Sequence, residues 1–230
     1  MTQKSILVVA AHPDDEVLGC GGTIAKHAQS GDKVHILIIA EGSTSRQVKR
    51  DVKKSKEALR QLQKSAFKAA QILRAEKPIF GNFPDNRLDS VNLLDVIKLI
   101  EDMVKEVQPH SVYVHHGGDL NVDHEIVHRA VLTACRPLPS FCVKNIFTYE
   151  TVSSTEWGIE TQTPFRPTRF INISDTFPNK LNALKAYESE MRPYPHARSI
   201  ENIKCLARTR GASVGIECAE AFAVIREVLS

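Results

Sequence analysis

The chain lacks the features that would take it out of the ordinary globular class. No stretch approaches the ~20 apolar residues that a membrane span needs. The opening MTQKSILVVAAHPDDE is not a signal peptide, because its apolar run is short and acidic residues follow at once. The five cysteines, Cys20, Cys135, Cys142, Cys205 and Cys218, are odd in number, scattered and without a CxxC pair. Reduced, mostly buried thiols in a cytoplasmic protein are therefore expected. Net charge is small, +3, which makes no case for nucleic acid as a partner. The basic cluster from Arg46 to Lys64 reads as a solvated helix face rather than a phosphate site. No linker, repeat or low-complexity tract appears, so residues 1–230 read as one domain.

What is present is an alternation of apolar runs and helical patterns. SILVVAA reads as a buried strand, followed by a helix around Thr23 to Ser30. KVHILIIA is a second strand, then a long charged helix follows, about Thr44 to Arg74. KPIFGN is a short third strand. Apolar residues at Leu93, Leu94, Ile97, Ile100, Val104 and Val107 have helical spacing, and Pro109 closes that helix. HSVYVHH is a fourth strand and DHEIVHRAVLTAC another helix, with Asp123 placed as its cap. This order predicts an α/β fold, a mostly parallel sheet with helices on both faces. The C-terminal third adds further strands (VKNIFTYE, PTRFINIS) and helices (around Asp175 to Met191 and Ser199 to Arg210), and is expected to wall the site.

Charge collects in two places. His12 to Glu16 follow the first strand, and HHGGDLNVDH, His115 to His124, follows the fourth. Ligands bind outside the carboxyl ends of strands in an open parallel sheet, so both clusters face one crevice. A dinucleotide site is the obvious alternative, with Glu41 after the second strand as its acid. GCGGTI is not GxGxxG, however, and Asp14, Asp15 and Glu16 would repel a pyrophosphate. A divalent cation suits the crowding better. His12, Asp15 and His124 then make a two-histidine, one-carboxylate set with an open position, as in catalytic zinc sites. Asp14 is placed to take a proton from water, and Asp123 to orient a neighbouring histidine. Each residue also has a plainer role: the acids suit a helix start, and Asp123 suits a cap. The joint pattern favours Zn2+. A non-haem iron oxygenase uses the same ligand set, and a nucleotide-binding module without catalysis is a further rival.

AHPDDE followed by GCGG, then FPDNRLD (Phe83 to Asp89), HHGGDLNVDH and the tail AEAF (Ala219 to Phe222) resemble the PIG-L/LmbE-like zinc-dependent N-deacetylases. The resemblance implies a Rossmann-like fold and removal of an acetyl group from an N-acetylated sugar, N-acetylglucosamine-type, or a related small glycoconjugate. It implies His12, Asp15 and His124 as ligands and Asp14 as general base. The family often has a histidine three positions before the last ligand; Asn121 stands there, able to donate to an oxyanion but not to carry a proton. His115, His116 or Asp14 itself is then the candidate to deliver the proton to the leaving amine. Asp85 and Arg87 are candidates for sugar hydroxyls, though a turn role accounts for them equally. Trp157 is either a platform for a sugar ring or core. His196, in RPYPHARS, is either at the crevice or on a surface loop. A homo-oligomer is compatible with the sequence.

Overall fold

Strand β1, Ser5–Ala10, forms where an apolar run has no polar face to turn to water. Side chains alternate across a strand, so Ile6, Val8 and Ala10 pack on one face and Leu7 and Val9 on the other, all buried. A strand buried on both faces belongs at the centre of a parallel sheet. The computed structural model, which describes residues 3–46, 51–158 and 163–229, places it there. β2 (Lys33–Ala40) flanks it on one side and β4 (Ser111–His115) on the other, both parallel, with Val8 opposite Ile36 and Tyr113.

Among the described residues the sheet has seven strands in the order β3-β2-β1-β4-β5-β7-β6. β3 is Ile79–Phe83, β5 Asn145–Tyr149, β6 Arg169–Asn172 and β7 Ala219–Glu227. The five strands up to β5 are parallel; β7 runs antiparallel to both β5 and β6. Helices α1 (Asp15–Gln29), α2 (Val52–Leu73) and α5 (Phe177–Ala186) share the core that holds Ile6 and Val8. Helices α3 (Leu93–Val107) and α4 (Val122–Ala134) cover Leu7 and Val9 on the opposite face. α6 (Ile200–Ala212) packs near β7. The fold is thus α/β, with a mostly parallel sheet between two helical layers.

Several expectations need correction. α1 starts at Asp15, well before Thr23, and is broken at Cys20 (φ −144°). The expected Thr44–Arg74 helix is a short 3-10 turn, Thr44–Arg46, followed by α2; positions 47–50 lie outside the described residues. The cap of α4 is Asn121, whose side chain accepts the Asp123 N–H at 2.9 Å, so Asp123 is free for other work. β7 was not expected as a strand. Its Glu220, Arg226 and Glu227 interrupt the apolar run, and tertiary pairing with β5 overrides the pattern. All five cysteines are free, with Cys20, Cys135 and Cys218 buried. No described helix is long and apolar enough to cross a membrane.

Candidate metal centre and catalytic site

The chain lays β2 and β3 on one side of β1, then crosses to lay β4 and β5 on the other. The reversal between β1 and β4 leaves a crevice at their carboxyl ends. The loop after β1 carries His12 to Asp14, and the loop after β4 carries His116 to Asn121. Residues more than a hundred positions apart meet there. Asp15 Oδ2 lies 3.2 Å from His12 Nδ1 and 3.2 Å from His124 Nε2. One donor atom from each of the three falls within 4.8 Å of the others. Asp15 is fully buried and its Oδ1 has no hydrogen-bond partner, an arrangement that calls for a cation.

The far sides of the two imidazoles are held by carboxylates. His12 Nε2 sits 3.0 Å from Asp123 Oδ2, and His124 Nδ1 sits 3.1 Å from Asp119 Oδ1. Each ring sets one nitrogen against a supporting carboxylate and the other against Asp15, the arrangement by which proteins aim metal-binding histidines. Asp123 is fixed by the backbone N–H groups of Asn86 (2.7 Å) and Leu88 (2.9 Å). Asp119 accepts from the hydroxyls of Ser154 and Thr155. Burial works against a charged His12, yet its bonds to Asp123 and Asp15 hold its pKa well above the usual value. Burial also opposes ionised Asp15, but the charge of His124 and the bonds to His12 and His124 keep it well below the carboxylate range. Surroundings that favour an imidazolium favour a metal cation too, and two imidazoles with one carboxylate fit zinc.

His115 has another role. Its Nε2 accepts the Ala11 N–H (2.9 Å), its Nδ1 meets the Thr151 hydroxyl (3.1 Å), and its ring stacks on His124 at 3.8 Å. Burial and then His124 push its pKa well below the usual value, so it is a neutral spacer. His116 is buried on the adjoining loop, with Nε2 2.7 Å from the Thr163 carbonyl and its ring edge-on to Phe165. Asp85 is drawn in: its Oδ1 is 3.4 Å from His12 Nε2, and its Oδ2 accepts the Ser45 N–H. Arg87, half-buried, opens the neighbouring 3-10 turn. Asn121 joins the same rim, its amide N–H donating to Asn86 Oδ1 at 2.8 Å. Trp157 is 52% exposed, not core, and borders a cleft of ≈ 430 Å³ with Pro195 and Leu206. His196 is exposed on a loop.

Asp14 stands next to Asp15 in a left-handed conformation, φ 114°. Burial pushes its carboxyl well above the usual range, against the pull of Arg198. Arg198 Nη1 donates to Asp14 Oδ2 at 2.6 Å. Sequence reasoning missed Arg198 and singled out its neighbour His196 instead. It also missed Asp119, although Asp119 lies inside HHGGDLNVDH; a second carboxylate near a ligand histidine was the available signal. The glycines of GCGG serve packing: a Cβ at Gly19 would strike the Tyr149 ring at 2.2 Å, and one at Gly22 would meet Ile173 at 2.9 Å. The amides of Gly22 and Thr23, free because α1 breaks at Cys20, are bound by Glu220 at 2.9 and 2.7 Å. A carboxylate of the protein itself fills the place a phosphate would take.

The crevice at the β1/β4 switch point thus joins an HPDDE segment that runs into α1 to a histidine in the first turn of α4. The chain matches "PIG-L: GlcNAc-PI de-N-acetylase" over residues 7–135 and belongs to that family. It is 31% identical over 193 residues to the "uncharacterized deacetylase YaiS" of Escherichia coli, covering 81% of this chain and 92% of that protein. It is 28% identical over 192 residues to a "probable N-acetyl-alpha-D-glucosaminyl L-malate deacetylase 2" of Bacillus cereus, covering 82% and 84%. Among solved structures, GalB, the 4-carboxy-2-hydroxymuconate hydratase of Pseudomonas putida KT2440, superposes with TM-score 0.78 at 24% identity, covering 99% of this chain and 98% of that one.

Proposed function

We propose that the protein is a zinc-dependent hydrolase that removes the acetyl group from an N-acetylglucosamine-type sugar, free or in a small glycoconjugate. The observation that carries the reading is the convergence of His12, Asp15 and His124, with Asp14 beside them. Family membership and the sugar deacetylase named above among its relatives support the substrate class. Zinc held by those three side chains would polarise the acetyl carbonyl and lower the pKa of water. Asp14 takes the proton of the attacking water as its oxygen bonds to the carbonyl carbon. Asn121 offers an N–H to the developing oxyanion. The C–N bond then breaks, and Asp14 returns the proton to the leaving amine, which yields acetate and the free amino sugar. His115 does not compete for this step, because both of its nitrogens are engaged. Asp85, whose Oδ1 lies 3.4 Å from His12 Nε2, and Arg87 two residues on are read as the groups that meet sugar hydroxyls, with Trp157 as a platform for a ring. Five free thiols fit a cytoplasmic setting.

The test is acetate release across N-acetyl sugars, N-acetyl amino acids and acetylated peptides, with zinc supplied. Turnover of the sugars is the expected result. Turnover of peptides or amino acids alone would overturn the substrate class and leave the hydrolase. Hydration of an unsaturated tricarboxylate without acetate release would replace the reading with that of the hydratase, and dioxygen consumption with ferrous iron would replace it with an oxygenase.

A further inference from the structure

Asp14 is a side-chain-bearing residue at φ 114° and ψ −28°, which L-residues resist unless surrounding structure enforces it. Two sets of contacts do so. The Asp14 N–H donates to Glu16 Oε2 at 3.0 Å, and the Tyr187 hydroxyl donates to Glu16 Oε1 at 2.6 Å. Glu16 and Tyr187 are both buried. On the side chain, Arg198 Nη1 donates to Asp14 Oδ2 at 2.6 Å, while Arg198 Nε donates to Ser153 Oγ at 2.7 Å. Tyr187 and Arg198 both lie beyond residue 135, outside the stretch that matches the family. We propose that they are positioning residues, Tyr187 acting through Glu16 on the Asp14 backbone and Arg198 on its carboxylate, and that together they aim this carboxylate at the reacting water. The proposal rests on Asp14 being the base.

A double-mutant cycle tests it, read on the N-acetyl sugar that turns over fastest and on zinc content. Tyr187→Phe keeps the ring and loses the hydroxyl. It should lower kcat about tenfold with KM within about twofold, since a small misplacement of a catalytic group costs rate rather than binding. Zinc per chain should be unchanged. Arg198→Ala should behave alike, with Arg198→Lys restoring part of the loss, and Arg198 carries the test alone if Tyr187→Phe does not fold. In an Asp14→Asn background neither change should lower kcat further. Additive losses in that background, or unchanged kcat in both single variants, overturn the clamp while leaving a slow Asp14→Asn enzyme. Near-normal turnover of Asp14→Asn overturns the base reading and the clamp with it.

Discussion

The parallel part of the sheet and the antiparallel part contribute differently to one site. The loop after β1 and the first turns of α1 and α4 supply one candidate ligand set, His12, Asp15 and His124. The C-terminal third supplies none of these, yet it holds what fixes them. Ser154 and Thr155 anchor Asp119, which orients His124; Thr151 anchors His115; Arg198 grips Asp14; Glu220 caps the broken α1 that begins with Asp15. Donor atoms come from short local motifs, whereas their rigidity comes from contacts made across the fold. A metal site needs both, because a ligand left to rotate binds weakly.

The comparison breaks first at the donors. His12→Ala, Asp15→Ala and His124→Ala should each take bound zinc from about one ion per chain to near zero, measured by elemental analysis of folded protein. Full occupancy in all three would remove the ligand assignment. Glu220→Ala tests the opposite region. Lys180 Nζ lies 2.6 Å from Glu220 Oε1, both buried, so the change strands a buried ammonium. It should cost about 3 kcal/mol of stability in chemical denaturation while refolded protein still binds zinc. A loss under about 1 kcal/mol, the size of a surface pair, would show that the tail is dispensable to α1.

Smaller effects sharpen the boundary between holding and binding. Asp119→Asn should weaken zinc affinity roughly 10- to 100-fold in chelator competition, with no change in secondary structure; unchanged affinity would mean that His124 is aimed by its stack on His115 alone. Asn121→Ala removes the cap of α4, which should cost about 1 kcal/mol in melting experiments. If kcat also falls while KM holds, the amide meets the oxyanion; if only stability falls, Asn121 is a cap and no more.

The order of strands and helices up to β5 was legible because apolar runs and helical spacing alternate without interruption. That His12, Asp15 and His124 come together was legible because the charged clusters they belong to each follow a strand that reads as buried. Asp123 was half-legible: it does hold a histidine, but His12 across the crevice rather than its neighbour, and the cap it seemed to form belongs to Asn121. Arg198 carried no signal, since an arginine in a polar loop looks the same whether it faces water or a carboxylate. Tyr187 was hidden likewise, as its hydroxyl matters only through Glu16.

By itself the sequence determined the parallel α/β core, the two charged loops and the chemistry of the donor set, because strand burial, helix period and side-chain type are local properties. Only the tertiary structure decided which nitrogen of each histidine faces Asp15, which carboxylate stands behind each histidine, and that β7 enters between β5 and β6 to bring Glu220 under α1. Those outcomes depend on pairing and distance between residues far apart in the chain, which no spacing in the sequence encodes.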